Sequence, residues 1–564
     1  MILRTLRRLL GLPAPRCSSA IEQRFVPMRD GVRLATWHVW PIDVRHTPGT
    51  VVIRTPYGVG GPRSVTGIMA RLIAESGQHV IVQDVRGRYE SEGRFVPFLH
   101  ERDDGADTLR WVAAQDWSNG PVGLFGVSYL AYTAWCALAE VPELVGALVS
   151  VIGSGDLYGS FYRGGALSLQ NTFEWGIGVG ERENVPERRT DLARGVAHRP
   201  LRDGDRVAFR TVDWLRDWIA HPRRDAYWQS ITPELPDQIP PVLTIAGGYD
   251  FFLECQLRDH AALERCASER GAPSPRLIIG PWAHGVPARM GFWRESLAGH
   301  ALRSAIEHFD VHLCGTSPAD ERKPVTFFVP GHDEWRESTS WPPSESNMQK
   351  LFLHANDSRG RLSFERPEDP GPTLRLRHDP EQPLPTLGGA LFRMKGGIKD
   401  QRPLVGRTDV VAYDSMPLER ELTIAGPVRL CVHVASDGED FDVTARLIDV
   451  APKGRAENVC DGIQRARWRD LTLEDTSPSF VDPGDMARIE IDLGSASRTF
   501  RAGHRLRIVV GASNFPRFDR NPGSRLEPAL ATPSDFSPSE HVLHHDTVER
   551  SWLVVHVLER MDAR

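Results

Sequence analysis

The sequence of 564 residues predicts an α/β fold with a parallel sheet covered by helices, a helical insertion and a C-terminal all-β domain. Three observations predict this organisation. Short β-branched runs alternate with helical runs up to about residue 150, as in sheets covered on both faces. An Arg-, Trp- and Asp-rich stretch of helical character, including VDWLRDWIA (212–220), interrupts the alternation. Beyond the Pro/Ser-rich segment 337–347, apolar and polar residues alternate with period two between turn signals.

The elements follow from individual runs of sequence. Strands are predicted at TVVIRT (50–55), HVIVQD (79–84), VGLFG (122–126), ALVSV (147–151), PVLTIAGG (241–248) and PRLIIGPW (275–282), and helices at DTLRWVAAQ (107–115) and YLAYTAWCALAE (129–140). The period-two segments that follow are typical of a sandwich or jelly roll. We therefore predict the first part of the core over 1–153, the insertion over 154–237, the second part of the core over 238–345 and the β domain over 346–564.

Composition excludes two classes of partner. The 68 basic and 74 acidic residues are interspersed and give a net charge of −6, which leaves no electrostatic footprint for nucleic acid. No run approaches the roughly 18 apolar residues of a membrane-spanning helix, so no integral membrane segment is expected. The Arg-rich start, MILRTLRRLLGLPAPRCSSA, lacks the uninterrupted apolar block of a secretory signal. It could lie on a membrane surface, but we expect a frayed, disordered arm.

Cysteine usage bears on metal sites and on the cellular compartment. Seven cysteines are scattered along the chain without a CxxC pair or a His/Cys cluster. This spacing predicts neither a zinc site nor a disulfide framework. A reduced, cytoplasmic protein without a metal or a cofactor is therefore expected.

Three polar residues follow apolar strands in the order Ser, Asp, His. Ser128 follows VGLFGV at a tight strand-to-helix corner, Asp250 follows VLTIAGGY, and His284 follows RLIIGPWA. Open α/β sheets place their ligands at the carboxyl ends of their strands. A serine hydroxyl becomes a good nucleophile when a neighbouring base takes its proton and a carboxylate holds that base in the right tautomer. The order and placement predict a catalytic triad of the α/β-hydrolase type.

Blocks of sequence in a fixed order extend this interpretation over nearly the whole chain. They are RTPYG (54–58), DVRGRYESEG (84–93), DWSNGPVGLFGVSYL (116–130), HPRRDAYW (221–228), GGYD (247–250), GPWAHG (280–285), DPEQPLPTLGG (379–389), NVCDGIQRARW (458–468) and SNFPRFDRNP (513–522). Together they resemble the block pattern of the cocaine esterase and X-prolyl dipeptidyl-peptidase (CocE/NonD) group of serine hydrolases.

The resemblance implies an α/β-hydrolase core, an inserted helical cap and a C-terminal jelly roll. It also implies Ser128 as the nucleophile, Asp250 as the residue that orients the histidine, and His284 as the general base. Ala131 departs from the pattern, because the group usually carries glycine three residues after the serine. The extra methyl group bears on helix–strand packing and removes no reacting atom.

An oxyanion hole needs donors placed where negative charge develops. Elbow geometry predicts the backbone N–H of Tyr129 as one donor, and the resemblance implies the hydroxyl of Tyr57 as the second. The segment 156–175 looks like the family segment that lines the acyl pocket. Within it, Phe161 and Trp175 are candidates to stack on an aromatic acyl group, or else belong to the core of the cap.

The block DVRGRYESEG allows other interpretations. Asp84 and Glu92 could be metal ligands or paired carboxylates, and Arg86 and Arg88 could clamp a phosphate. We expect instead a structural loop with internal ion pairs.

The predicted function is metal-free hydrolysis of acyl esters, or also of amides, through an acyl-enzyme on Ser128. The substrate would be a small acyl ester or a short peptide. A second hypothesis is an X-prolyl dipeptidyl-peptidase or an α-amino-acid ester hydrolase or acylase. Such an enzyme must anchor a substrate ammonium with carboxylates, and the candidates are Asp156, Glu174, Glu181 and Glu183. A third hypothesis is an inert hydrolase half whose jelly roll binds carbohydrate or a protein. The sequence does not predict the oligomeric state.

Overall fold

The computed structural model describes residues 2–42, 49–59, 61, 64–289, 295–317, 322–356, 359–470, 472, 475, 477–546 and 549–558. Two large bodies of buried apolar side chains organise these residues. One extends from Leu12 to Phe309 and the other from Leu351 to Val555. The chain therefore forms an α/β-hydrolase-like N-terminal domain and a β-rich C-terminal domain.

The strands of the N-terminal domain include the six that the sequence predicts. In chain order, the described strands are β1 (Ser18–Pro27), β2 (Arg33–Ile42), β3 (Thr50–Thr55), β4 (His79–Asp84), β5 (Val122–Val127), β6 (Val145–Val151), β7 (Tyr162–Arg163), β8 (Ala166–Leu167), β9 (Val242–Gly247), β10 (Arg276–Gly280), β11 (Trp282–Ala283), β12 (Val286–Pro287), β13 (Val325–Val329) and β14 (Glu334–Ser338). The short pairs β7–β8 and β11–β12 lie outside the main sheet.

The main sheet is mixed, with a parallel centre. Within the described ranges its ten strands lie in the order β1-β2-β4-β3-β5-β6-β9-β10-β13-β14. Pairing is parallel from β4 through β13, while β1, β2 and β14 pair antiparallel at the two edges. Every residue of β3 and β9 is buried. Continuous burial is expected of parallel strands covered on both faces and explains their unbroken apolar sequences.

Helices cover both faces of this sheet. In chain order, the described helices are α1 (Ile2–Leu9), α2 (Val65–Ala74), α3 (Glu101–Ala113), α4 (Tyr129–Glu140), α5 (Tyr158–Phe161), α6 (Leu169–Gly178), α7 (Leu192–Ala197), α8 (Gly204–Ala208), α9 (Asp213–Ala220), α10 (Ala226–Ile231), α11 (Leu253–Arg270) and α12 (Leu297–Cys314). Buried side chains of α2 and α12 belong to one apolar cluster, and those of α3 belong to another together with Leu263 of α11.

The prediction of a frayed N-terminal arm is wrong. Residues Ile2–Leu9 form α1, and the Arg7 guanidinium is buried against α2, where it donates to the Leu72 carbonyl at 2.9 Å and to the Ser76 hydroxyl at 2.8 Å. Strand β1, which begins at Ser18, pairs antiparallel with β2 along their whole length. Tertiary partners therefore order a segment whose Arg-rich composition, taken alone, suggests a solvated chain.

The segment between β6 and β9 carries the helices α5–α10, all of them short. Its large side chains are buried and belong to the same apolar cluster as the strands beneath them, notably Phe173, Trp218 and Trp228. The segment is thus packed on the N-terminal domain.

The C-terminal domain is built from strands. In chain order, those described are β15 (Ser346–Asn356), β16 (Arg359–Ser363), β17 (Leu374–His378), β18 (Val410–Asp414), β19 (Leu422–Ser436), β20 (Asp442–Val450), β21 (Ala456–Arg465), β22 (Met486–Phe500), β23 (Arg505–Gly511), β24 (Ser539–His544) and β25 (Trp552–Leu558). Continuous ladders join them. Alternate side chains are buried in β17 and in the first half of β22, as the period-two pattern predicts, whereas every residue of β20 is buried. None of the described helices is long and apolar enough to cross a membrane.

Candidate active site

Ser128 occupies a sharp turn between β5 and α4. Its backbone has φ 59° and ψ −123°, a conformation that L-residues adopt rarely and at a cost. Two glycines make room for the turn. A Cβ on Gly126 would lie 2.1 Å from the Leu130 carbonyl oxygen, and one on Gly153 would lie 2.4 Å from the Ser128 carbonyl oxygen. The corner that the sequence singled out is therefore a strained turn that holds a partly exposed serine at the carboxyl end of the strand.

Ser128, His284 and Asp250 form one hydrogen-bonded chain. The Ser128 Oγ lies 3.0 Å from His284 Nε2, and His284 Nδ1 lies 2.8 Å from Asp250 Oδ2. The other carboxylate oxygen of Asp250 accepts from the Phe252 N–H at 2.8 Å. Asp250 is 4% exposed, so its carboxylate is fixed by the imidazole and the backbone rather than by water. This is the geometry required of a nucleophile, a base and a group that orients the base.

Aromatic rings hold the imidazole in place. The Phe251 ring stacks on His284 with centroids 4.5 Å apart, and the Phe392 ring meets it edge-on at 4.9 Å. Phe392 comes from the segment between β17 and β18 of the C-terminal domain, and its backbone forms a β-bridge with His284. The C-terminal domain therefore contributes directly to the surroundings of the histidine.

Two groups beside Ser128 can donate to a developing oxyanion. Tyr129 is the first residue of α4, so its N–H has no acceptor within the helix. The Tyr57 hydroxyl accepts from Trp175 Nε1–H at 2.9 Å. Burial raises the pKa of Tyr57, and hydrogen bonds with Trp175 and Ser128 partly offset that effect. The phenol is therefore protonated at neutral pH and lies beside the serine.

A buried ion pair between Glu101 and Arg54 supports the turn that carries Ser128 and Tyr129. The Tyr129 hydroxyl donates to Glu101 Oε1 at 2.7 Å, and Glu101 Oε2 lies 2.9 Å from Arg54 Nη1. Burial raises the pKa of Glu101, and the Arg54 charge opposes that rise. The Tyr129 side chain is thus fixed by a buried carboxylate, which leaves its backbone N–H in a defined direction.

A mostly apolar cavity of about 460 Å³, counting its open mouth, lies beside Ser128. Phe161 and Trp175, the two predicted pocket residues, both line it. The other lining residues are Phe98, Tyr129, Tyr132, Leu157, Ser160, Asn171, Thr172, Phe251, Phe252 and Phe392. The Trp175 ring stacks against Phe98 and Tyr129, each with centroids 5.5 Å apart. The site therefore offers a flat aromatic wall within reach of the serine.

Three further polar side chains in the cavity wall form hydrogen bonds with backbone groups. The Ser160 hydroxyl donates to the Leu157 carbonyl at 2.7 Å, and the Thr172 hydroxyl donates to the Ser168 carbonyl at 2.8 Å. The Asn171 amide donates to the Ala390 carbonyl at 3.0 Å, and its oxygen accepts from the N–H of Phe392. Asn171 thereby ties α6 to the segment of the C-terminal domain that carries Phe392.

The acidic residues considered as ammonium anchors do not line this cavity. Asp156 pairs with Arg258 at 3.2 Å and with Arg224 at 3.6 Å. Glu174 faces Lys395 and Arg393, Glu181 pairs with Arg189 at 2.9 Å, and Glu183 is exposed. Among the described residues that line the cavity, none is a carboxylate.

Ala131 is accommodated without displacing the serine. Its side chain is fully buried and faces Gly153, where an added Cβ would lie 2.7 Å from the Ala131 Cβ. Because Gly153 has no side chain, the methyl group fits between helix and strand.

The loop 84–93 is structural, but its predicted internal ion pairs are wrong. Arg86 pairs with Asp104 in α3 and with Asp30 between β1 and β2, each at 2.6 Å. Glu92 accepts from Arg33 Nε at 3.0 Å. The ion pairs therefore fasten the loop to other elements. In the part of the chain that the structure describes, no group of three or more His, Cys, Asp or Glu side chains is arranged to hold a metal ion.

Several site residues were missed at the sequence level. Phe251 and Phe252 directly follow Asp250, so their position after a strand end was an available signal. Phe98 and Asn171 have no such signal. Phe392 lies in the other domain, and only the packing of the two domains brings it to His284.

Comparison with known proteins gives a consistent result. Residues 30–286 match the model of the X-Pro dipeptidyl-peptidase (S15 family), and residues 318–554 match that of the X-Pro dipeptidyl-peptidase C-terminal non-catalytic domain. Cocaine esterase from Rhodococcus sp. (strain MB1 Bresler) is 32% identical over 585 aligned positions, which cover 96% of this chain and 99% of that protein.

Solved structures share the fold over the whole length. A selenomethionine-labelled α-amino acid ester hydrolase aligns with a TM-score of 0.82 and 24% identity, covering 97% of this chain and 98% of that one. An aminopeptidase from a marine sediment Thaumarchaeota archaeon aligns with a TM-score of 0.81 and 22% identity over the same shares. The chain therefore belongs to the cocaine esterase and X-Pro dipeptidyl-peptidase family of serine hydrolases.

Proposed function

We propose that this serine hydrolase cleaves esters of uncharged, aromatic carboxylic acids through an acyl-enzyme on Ser128. One observation carries the proposal: the Ser128 hydroxyl, 3.0 Å from His284 Nε2, opens onto a cavity lined by aromatic rings and by no carboxylate among the described residues. A buried aromatic wall favours a flat apolar acyl group.

In the proposed mechanism, His284 Nε2 takes the Ser128 proton as Oγ attacks the ester carbonyl carbon. Asp250 keeps Nδ1 protonated and balances the charge of the imidazolium. The carbonyl oxygen becomes an oxyanion that accepts from the Tyr129 N–H and the Tyr57 O–H. The C–O bond to the alcohol then breaks, and His284 returns its proton to the leaving alcohol. A water molecule activated by His284 attacks the acyl carbon and releases the acid and Ser128.

The cavity distinguishes uncharged acyl groups from α-amino acyl groups. An ammonium that enters without a carboxylate partner loses its hydration uncompensated. Asp156, Glu174 and Glu181 already face arginine or lysine side chains, so they are not free to receive it. This observation favours hydrolysis of esters with uncharged acyl groups over the two other hypotheses, an X-prolyl dipeptidyl-peptidase and an α-amino-acid ester hydrolase.

Two matched substrates test this preference. Kcat/KM is measured for 4-nitrophenyl phenylacetate and for the 4-nitrophenyl ester of phenylglycine, which differ by the α-ammonium. We expect the uncharged ester to be preferred by at least about a hundredfold, since about 3 kcal/mol of uncompensated desolvation corresponds to that ratio. Equal values, or a preference for the ammonium ester, would overturn the assignment of the acyl group. Release of 4-nitroaniline from a Gly-Pro anilide at a comparable rate would favour the dipeptidyl-peptidase reading.

We also propose that α5–α10, within residues 154–237, act as a cap over the site, and that residues 346–564 form a jelly roll. The packing of Trp218 and Trp228 into the core cluster supports a cap fixed to the sheet. The hydrogen bonds of Asn171 and the contact of Phe392 with His284 support a role of the β domain in completing the site.

The hydrogen-bonded chain of Ser128, His284 and Asp250 speaks against the hypothesis of an inert hydrolase half. Labelling by a fluorophosphonate distinguishes an active serine from an inert one.

A cytoplasmic location is proposed from the cysteines. All seven are free thiols, three of them buried, and an oxidising compartment would not be needed to stabilise the fold. Activity in the soluble fraction of cells, measured beside a cytoplasmic and a periplasmic marker enzyme, tests this location.

A further inference from the structure

Arg88 is a buried cation beside the candidate oxyanion hole. Its side chain is fully buried, and among the described residues it forms no ion pair with a carboxylate. Burial lowers its pKa, and smaller opposing effects of nearby tyrosines and of Asp84 offset that effect only in part. Its neighbour in the same loop, Arg86, has two carboxylate partners. Removing this guanidinium from water costs free energy, so we looked for a function of Arg88 among its contacts.

The contacts of Arg88 are oxygen atoms of uncharged groups. Nε donates to the Pro56 carbonyl at 2.7 Å, Nη1 to the Val179 carbonyl at 3.1 Å and to the Glu181 carbonyl, and Nη2 to Asn184 Oδ1 at 2.6 Å. The rings of Phe95 and Tyr89 flank the guanidinium, with centroids 5.1 Å and 5.5 Å from Cζ. The planar guanidinium of Arg88 thus joins two separate parts of the chain, residue 56 and residues 179–184.

These two segments carry the two partners of one hydrogen bond. Pro56 immediately precedes Tyr57, and Val179 directly follows α6, which carries Trp175. Trp175 Nε1 donates to the Tyr57 hydroxyl at 2.9 Å. Because the Tyr57 oxygen accepts this indole proton, its own proton is free to point toward Ser128. The direction of the phenolic O–H therefore depends on the spacing between residue 56 and the end of α6.

We propose that Arg88 is a positioning residue, which joins the Pro56 carbonyl to the end of α6 and so orients the Tyr57 hydroxyl toward the oxyanion. This inference rests on the proposed role of Tyr57 as an oxyanion donor. A lysine would keep the charge but cannot replace the fork, because an ammonium on a flexible stem does not present donors in several fixed directions at once. In Arg88→Lys we therefore expect the Tyr57 hydroxyl to be misoriented, which weakens its hydrogen bond to the oxyanion in the transition state.

Arg88→Lys and the matched control Arg86→Lys test the proposal. Steady-state kinetics are measured with 4-nitrophenyl phenylacetate, together with the inhibition constant of phenylboronic acid, whose tetrahedral serine adduct places an oxygen in the oxyanion hole. For Arg88→Lys we expect kcat to fall about 10- to 100-fold with KM within about threefold, and the boronic acid to bind weaker by a similar factor, since small misplacements of a catalytic donor cost up to about 10². Arg86→Lys should lower the melting temperature and keep kcat within about twofold.

Combination with Tyr57→Phe distinguishes this proposal from the function on which it rests. If Arg88 acts through Tyr57, Arg88→Lys should cost less than about threefold in kcat when Tyr57 is already phenylalanine. Fully multiplicative losses, or a folded Arg88→Lys variant with normal kcat beside a slow Tyr57→Phe variant, refute the role of Arg88 alone. A Tyr57→Phe variant with wild-type kcat removes the oxyanion role of Tyr57 and this proposal with it.

A milder variant covers the case in which Arg88→Lys does not fold. Asn184 is exposed, and Asn184→Leu replaces its carboxamide, including the oxygen that accepts from Nη2, by an apolar side chain of similar size. We expect kcat to fall about three- to tenfold with KM unchanged and with weaker binding of phenylboronic acid. Wild-type values of both quantities in the folded Asn184→Leu variant would contradict the proposal.

Discussion

Replacing Tyr57 with phenylalanine removes one oxygen from the proposed oxyanion hole and keeps the ring. If the hydroxyl donates to the oxyanion, its effect is realised in the transition state, so kcat should fall while KM changes little. Loss of one such donor typically costs about 10² to 10³ in kcat, or about 3 to 4 kcal/mol. The same change leaves the Trp175 indole N–H without its acceptor, which should cost about 1 kcal/mol of stability.

The assay is steady-state hydrolysis of an activated aryl ester, with thermal unfolding measured on the same samples. Tyr162→Phe is the matched control, because its buried hydroxyl donates to the Trp218 carbonyl at 2.9 Å and it does not line the cavity. This control should lose stability and keep its kcat. A loss below about threefold in the Tyr57→Phe variant would refute the oxyanion role of Tyr57, and equal losses in both variants would point to a general loss of structure.

Three further predictions concern pH, domain dependence and stability. Activity should be lost at acidic pH, because His284 must be neutral to accept the serine proton; a flat profile from pH 5 to 9 would speak against a histidine base. A fragment ending at residue 347 should be insoluble or inactive, because it lacks Phe392 and the acceptor for Asn171; a soluble fragment with normal kinetics would disprove this. Burial raises the pKa of Asp84 to about 7, so this group destabilises the fold progressively as pH rises from about 4 to about 7. Asp84→Asn, which keeps an acceptor for the Val59 N–H, should gain up to about 4 kcal/mol relative to wild type between those limits, and identical pH dependence of the melting temperature in the two proteins would contradict it.

The strands of the central sheet were predictable because each one is marked by its own run of apolar residues. Strands buried on both faces need unbroken apolar, β-branched sequences, and β3 and β4 have the bounds that their sequences indicate. Helix α4 likewise begins directly after Ser128 and ends at Glu140, as its sequence predicts. The edge strand β1 was missed because most of its residues are exposed or only partly buried, so its sequence carries no apolar pattern. The burial of Arg7 was not predictable, because the groups that accept its hydrogen bonds lie 65 and 69 residues away in the sequence.

The site was predictable where it depends on strand ends and not where it depends on packing. Ser128, Asp250 and His284 each follow an apolar strand, so the topology of a parallel sheet brings them together. Phe392 reaches His284 only through the association of two domains. The partners of Arg86 and Arg88 lie outside their own loop, which a reading of the loop alone could not find.

The central claim is that Ser128 is the nucleophile, and mass spectrometry of the covalently trapped enzyme tests it most directly. Wild-type protein is treated with a fluorophosphonate, digested and compared with the Ser128→Ala variant, whose fold is checked by circular dichroism. We predict one stoichiometric adduct, on the peptide that contains VGLFGVSYLA (122–131), together with loss of both the adduct and ester hydrolysis in Ser128→Ala by several orders of magnitude. An adduct on another residue, or more than about a tenth of wild-type turnover in a folded Ser128→Ala variant, would contradict the account.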